Sequence, residues 1–234
     1  MVKNLSSKPT HSVSMETQNQ PSNLLNLYTN SNMKFEIVSA NCSILYFEPE
    51  ISEKNLDAIQ SCYLSLQKLE GIVDLTPSYA SILIQFDIFK YDHQTLEQAI
   101  INHLANQIKT QDNRQKTFKI PTNYEQNLDL ERVAQHNDLT IEEVIKLHTQ
   151  QRYRVYAIGF MVGFAYLGKV DEKIFTPRLS SPRKKVPKGS VAIADFQTAI
   201  YPQDSAGGWN IIGQTAFNDF HQFSIGDIIQ FERI

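Results

Sequence analysis

Cysteine and tryptophan are scarce in this 234-residue chain, with two of the first and one of the second. Cys42 and Cys62 form no Cys-x-x-Cys pair and fall in different predicted elements, so two reduced thiols are expected rather than a disulfide framework. No apolar run approaches the roughly 20 residues that span a bilayer. Neither sign of charge is in excess: 22 Lys and Arg against 25 Asp and Glu leave a net charge of −3. That balance argues against a chain built to bind nucleic acid or anionic lipid. The six His do not fall at metal-ligand spacings, and no His-Glu-x-x-His or Cys/His set occurs, so no metal site is expected. A Gly-x-Ser-x-Gly elbow is also missing, and Ser190 in Gly189-Ser190-Val191 lacks its context, which removes acyl transfer by a serine triad. What is present is 41% hydrophobic residues, enough for a sizeable core.

The hydrophobic periodicity organises the chain. Residues 1–32 are rich in Ser, Asn, Gln and Thr and lack the charged and apolar regions of a signal peptide, so they read as a disordered extension of a cytoplasmic protein. From Lys34 onward, Phe35 and Ile37 alternate with polar neighbours, and 43–47 reads as a second strand. Ser52 is placed to cap a helix carrying Leu56, Ile59, Tyr63, Leu66 and Leu69, with Gly71 as its C-terminal glycine. Strands at 72–75 and 79–87 and a helix at about 94–108 complete a ββαββα order. The fold class expected is α+β: a small N-terminal α/β sandwich domain over 33–110, a polar linker, and a barrel domain over 115–234. The second unit shows two short helices, the latter opened by a Thr140/Glu143 capping box, then short apolar runs separated by Gly and Pro, the texture of a β-barrel.

Two motifs fail on inspection. The stretch from Gly163 through Gly168-Lys169 to Val170 nearly spells a phosphate-binding loop, but Val170 stands where a Mg²⁺-ligating hydroxyl belongs, and Pro177 leaves no room for the following helix. The segment 129–148 has helix-turn-helix length, but its second helix would present Glu142 and Glu143 to phosphates; two helices plugging a barrel is the simpler expectation.

The remaining chemistry lies between residues 177 and 209. Pro177 and Pro182 each precede an arginine, Arg178 and Arg183, and proline stiffens the backbone that carries them. Rigid guanidinium groups suit bidentate recognition of carboxylate or phosphate. Gly207-Gly208 permits close backbone approach, and Trp209 offers a flat apolar surface beside it. A solvated basic loop with turn prolines and a core Trp fits the same residues equally well.

Read in order, however, these motifs resemble the allophanate hydrolase subunit 1 (KipI) family. They run from Gly159-Phe160 and Gly163-Phe164 through Tyr166-Leu167, Pro177-Arg178, Pro182-Arg183 and Val186-Pro187. Gly189-Ser190-Val191, Gln197-Thr198, Tyr201-Pro202, Gly207-Gly208-Trp209, Ile212-Gly213 and Gly226-Asp227 follow. Upstream, Pro77-Ser78-Tyr79, Asp129-Leu130, Val133-Ala134 and Glu143-Val144-Ile145 with His148 match as well, so the resemblance covers about 33–234. It implies a cyclophilin-like, carboxyltransferase-type barrel as the C-terminal domain. The family includes the B component of ATP-dependent 5-oxoprolinase, the histidine-kinase inhibitor KipI and half of the carboxyltransferase domain of urea carboxylase. The function it implies here is that of a non-autonomous component of 5-oxoprolinase, the cyclic-amide hydrolase that opens 5-oxo-L-proline to L-glutamate. ATP would bind at or in the partner. The partners would be the C component of that enzyme, of related barrel architecture, and its A component. Inhibition of a sensor kinase and work on biotin with a urea-like substrate are the alternatives. The catalytic candidates are Arg178, Arg183 and His148; Gln197, Tyr201, Gly207, Gly208 and Trp209 are candidates to shape the substrate site.

The sequence departs from the family at Val162, where Pro is usual, and at Asp195-Phe196, where two glycines are usual. It departs again at Gln214-Thr215-Ala216, where Arg-Thr-Pro is usual, and in the short Glu125-Gln126-Asn127 loop. A side chain as large as Phe196 is not expected to follow a path reserved for glycine. These departures leave open an altered substrate or a role in binding alone.

Overall fold

The computed structural model describes residues 33–106 and 115–234. The expected extension at 1–32 and most of the expected linker lie outside them. The described residues are mostly β, with four α-helices, a four-stranded sheet and a seven-stranded sheet that nearly closes on itself.

The first sheet is antiparallel and contains β1 (Lys34–Ser39), β2 (Cys42–Tyr46), β3 (Ile72–Pro77) and β4 (Ser81–Phe86), in the order β1-β2-β4-β3. Alternation puts Leu45, Ile82, Ile84 and Phe86 on one face. That face is covered by α1 (Glu53–Leu66) and α2 (His93–Ala105), whose Leu56, Ile59, Leu66, Leu96, Ile100 and Leu104 recur at helical spacing. Ser52 caps α1 through the Asn55 N–H, and Asp92 with Thr95 forms a capping box on α2. Helix α1 stops at Leu66, short of Gly71. The glycine instead occupies a left-handed turn (φ 93°) leading into β3.

The second sheet contains β5 (Thr117–Thr122), β6 (Tyr153–Ile158), β7 (Ala165–Gly168), β9 (Ser190–Ala194), β10 (Gln197–Ile200), β12 (Asn210–Gln214) and β13 (Ile228–Arg233). Its order is β12-β9-β10-β7-β6-β13-β5. Asn123, just past β5, and Gln214, the end of β12, exchange backbone hydrogen bonds at 2.8 and 2.9 Å, which brings the two edges together. A closed edge exposes no unpaired ladder to another chain. Helices α3 (Leu130–His136) and α4 (Ile141–Gln150) plug the interior, where Val133, Val144 and Ile145 pack against Ile120, Val155, Leu167, Ile193 and Phe231.

Strand β9 is buried at all five positions. A strand of a sheet with one free face would alternate; this one is covered on both. Its second cover is a two-stranded antiparallel ribbon, β8 (Arg183–Val186) with β11 (Ser205–Gly207), which flank β9 and β10 in the chain, followed by Trp209. The two sheets also share packing, since Tyr156 and Ile225 from the barrel half enter the core of the first sheet.

Candidate functional site

The covered outer face of the barrel gathers most of the motif residues. Phe164, Tyr201 and Trp209 are buried there against Ala192, Ala194, Ala199, Val186 and Ile211, with Tyr166 and Met161 half-buried beside them. The alanines leave room for rings to lie against the strands, and the rings meet edge to face: Phe164 lies 4.9 Å from Tyr166, 5.3 Å from Tyr201 and 5.7 Å from Trp209. This is the stretch that nearly spells a phosphate loop. It forms a bend and strand β7 instead, with Phe164 inside the cluster and Gly163 (φ 81°) pressed against Phe220, so no backbone there is free to wrap a phosphate.

Arg178 is exposed and its guanidinium lies over the Trp209 ring, 5.6 Å from the centroid. Burial pushes the hydroxyls of Tyr79, Tyr166 and Tyr201 above the usual tyrosine range, and the Arg178 charge opposes that push at each. One cation over an aromatic floor therefore acts electrostatically on three neutral hydroxyls, an arrangement suited to a small planar anion. The loop that carries Arg178 is held by backbone: Leu179 N–H donates to the Gly208 carbonyl at 2.8 Å, and Asn210 Nδ2 donates to the Pro177 carbonyl at 3.1 Å.

Arg183 points elsewhere. Its Nη2 donates to Asp129 Oδ1 at 2.5 Å, while Asp129 Oδ2 accepts from the Ile211 N–H at 2.7 Å. Arg183 thus ties the β8/β11 ribbon to the start of α3 and to β12, and its buried Nη1 has no hydrogen-bond partner. The sequence suggested two equivalent arginines. The structure separates them into one that lies over Trp209 and one committed to a carboxylate.

Gln197 opens β10 on the cluster face, hydrogen-bonded to Tyr79 from the other sheet. Tyr201 is buried, with its hydroxyl beside the Trp209 backbone. Gly207 explains its own identity: a Cβ there would lie 2.2 Å from the Tyr201 hydroxyl oxygen. Gly207→Ala is expected to destabilise the fold by about 1–3 kcal/mol through this overlap and to displace Tyr201. Denaturant unfolding, read beside ligand binding, checks both effects.

His148 is not brought to this face. It is fully buried in the barrel plug, on the opposite side of β10, because Thr198, which it contacts, and Gln197 are sequence neighbours in a strand. Thr198 Oγ1 donates to the Ala192 carbonyl at 3.0 Å, so it accepts from His148 Nε2–H at 2.9 Å. The Tyr124 hydroxyl then donates to Nδ1 at 2.7 Å. Both ring nitrogens are satisfied by a neutral imidazole, and burial pulls its pKa down to about 3.

The departures from the family pattern have local explanations. In the Asp195-Phe196 pair the positive φ (52°) falls on Asp195, a residue that tolerates it, while Phe196 packs on Phe175 with centroids 4.6 Å apart. Gln214 sits at the barrel seam near Ser190 and Lys188, at the end of β12 opposite Trp209. Val162 is 88% exposed, next to Phe160, which is 66% exposed with φ 67°. Tyr79, Tyr166 and Asp129 belong to the site or its support although no role was read for them from sequence. The signal was present in the Pro77-Ser78-Tyr79, Tyr166-Leu167 and Asp129-Leu130 matches. Among the described residues, no group of three or more His, Cys, Asp or Glu is placed to hold a metal ion.

A helix-plugged barrel bearing an arginine over an aromatic face on its outer side defines the class, and comparison with known proteins gives the family. Residues 33–224 match the carboxyltransferase domain, subdomain C and D. The chain belongs to this family. It is 32% identical over 222 residues to the B component of 5-oxoprolinase from Bacillus subtilis, covering 86% of this chain and 92% of that protein. It is 39% identical over 152 residues to the B component of 5-oxoprolinase from Haemophilus influenzae, covering 64% of this chain and 70% of that one. Among solved structures, the crystal structure of TTHA0988 superposes with a TM-score of 0.75 at 28% identity. The match covers 84% of this chain and 40% of that one, so TTHA0988 is the longer protein.

Proposed function

We propose that this chain is the B component of an ATP-dependent 5-oxoprolinase of several chains, a hydrolase that opens 5-oxo-L-proline to L-glutamate. The observation that carries the reading is the near full-length relationship to a protein of that name, in a chain whose family match at 33–224 spans Arg178, Gln197 and Trp209.

A lactam is a poor electrophile. Phosphoryl transfer from ATP to its carbonyl oxygen releases ADP and lets one water attack the carbonyl carbon; the ring C–N bond then breaks, the nitrogen taking up a proton, and a second water hydrolyses the resulting acyl phosphate to the carboxylate and phosphate. Such a step needs fixed positive charge against a carboxylate or a developing phosphate. Arg178 is the group of this chain that meets the need, held over Trp209 and open to the outer face. The remaining candidates take supporting parts. Tyr201 and Trp209 form the apolar wall, Gly207 and Gly208 let the β8/β11 ribbon approach it, Arg183 anchors that ribbon through Asp129, and His148 holds β10 from behind. ATP is assigned to the partner side, because the phosphate-loop-like stretch of this chain is spent on strand β7 and the aromatic core. The A and C components complete the enzyme in this reading.

The experiment is co-expression with the partner chains, followed by an assay of ATP-dependent glutamate release from 5-oxoproline. Arg178→Ala is expected to lower turnover by about 10²–10³-fold, the usual effect of losing one charge-stabilising donor, without preventing assembly. A well-formed complex that releases no glutamate overturns the reading.

A further inference from the structure

The contact between Gln197 and Tyr79 is unusual in its geometry. Gln197 Nε2 donates to the Tyr79 hydroxyl oxygen at 2.8 Å, and the same hydroxyl lies 3.2 Å from Gln197 Oε1, placed to donate. One oxygen atom therefore sits across the edge of a primary amide, where N–H and C=O point out side by side. A single hydroxyl has one proton, and it cannot lie in line with both bonds of that edge at once. The edge is occupied but poorly satisfied.

A group that fits such an edge is another amide with its own N–H and C=O on the same side, which then makes two parallel bonds. Ordinary peptide bonds are trans and put the two groups on opposite sides. In a five-membered lactam the ring locks the amide cis, so both groups face outward together. The surroundings suit the rest of such a molecule. Tyr166 stands edge-on to Tyr79 at 5.8 Å, and Arg178 over Trp209 supplies a cation for a carboxylate on the ring. The backbone of Tyr79 is held by Asn55, whose Nδ2 reaches its carbonyl at 3.0 Å, so the side chain is the part free to yield.

We propose that the carboxamide edge of Gln197 recognises the cis amide of a carboxylate-bearing lactam, and that the Tyr79 hydroxyl plugs this edge in the ligand-free protein. The proposal rests on the function proposed above and deepens it, since it names the recognising atoms. Burial keeps the Tyr79 phenol protonated, as a hydroxyl that both donates and accepts must be. The plug belongs to the four-stranded sheet and Gln197 to the barrel, so ligand entry loosens one hydrogen-bonded tie between the two sheets.

The test is calorimetric titration of the co-expressed complex without ATP, using 5-oxoproline, 2-pyrrolidone (lactam without carboxylate) and L-proline (carboxylate without amide carbonyl). Tyr79→Phe keeps the ring and removes the plug, and it is expected to tighten 5-oxoproline binding about fivefold, the equivalent of one neutral hydrogen bond no longer displaced. Gln197→Leu is expected to weaken it at least about tenfold and to abolish the preference for 5-oxoproline over L-proline. Thermal melts establish that both variants fold. Weaker or unchanged binding in Tyr79→Phe overturns the plug. A preserved lactam preference in Gln197→Leu overturns the recognition site. Failure of this proposal is distinguishable from failure of the function: a complex that turns over 5-oxoproline normally with Gln197→Leu sinks only the proposal. A complex that binds lactam through Gln197 but releases no glutamate sinks only the function.

Discussion

Asp129→Ala is expected to destabilise the protein by about 3 kcal/mol, the lower part of the range for breaking a buried ion pair by removing one partner. The Asp129 side chain is 6% exposed and serves two donors, Arg183 Nη2 and the Ile211 N–H. Its loss leaves a buried backbone donor unpaired and a largely buried guanidinium with no counter-charge. The lower end of the range applies because the Arg183 side chain keeps 28% exposure, so water relieves part of the cost. For a chain of this size the loss corresponds to a drop in Tm of about 6–12 °C. The double variant Asp129→Ala/Arg183→Met should recover part of the stability, since it removes the orphaned charge. If Asp129→Ala unfolds within about 0.5 kcal/mol of the parent chain, the pair does not anchor the β8/β11 ribbon, and Arg183 is a second cation free to act in the site.

The second large effect is on the acid side of the stability profile. His148 is neutral in the fold with a pKa of about 3, and titrates near 6.5 when the chain unfolds. Between those values the unfolded chain binds one proton more than the folded one, so stability rises with pH in this window and is lost as pH falls. The slope from this one group is about 1.4 kcal/mol per pH unit, beginning below about pH 6.5 and running toward pH 3. His148→Gln removes the titration while leaving a side chain that can hydrogen-bond. Urea unfolding of the two proteins between pH 7 and 4 should give curves that converge as pH falls, with a difference in slope of one proton. Parallel curves would mean that His148 takes up its proton in the folded chain as readily as in the unfolded one, and would overturn the assignment of a buried, neutral imidazole.

Much of the fold was legible because its signals are local. The strand alternation of Ile82, Ile84 and Phe86, the caps at Ser52 and Thr140, and the helical spacing of Leu96, Ile100 and Leu104 each depend on neighbours within a few residues. The order ββαββα followed by two helices and a run of strands was read from these alone. Strands β7, β8 and β11 were missed, and for a shared reason. Their sequences are short, carry Gly or charges, and become strands only because other strands pair with them: β10 and β6 with β7, and β11 with β8.

The Pro-Arg and Gly-Gly-Trp stretch shows where the division lies. From sequence alone, Arg178 and Arg183 are two equivalent stiffened cations, and His148 is a proton carrier in the same motif set. Residue type and spacing put rings, small residues and cations into one stretch of chain; that Gly207 and the alanines of β9 and β10 leave room for the rings is visible only in the fold. Only the tertiary structure decided the roles. Asp129, 54 residues from Arg183, claims one arginine and leaves the other over Trp209. The alternation of β10 sends Thr198 and His148 into the core and Gln197 out to Tyr79, 118 residues away. Charge pairing and facing are set by neighbours in space, and a sequence gives only neighbours along the chain.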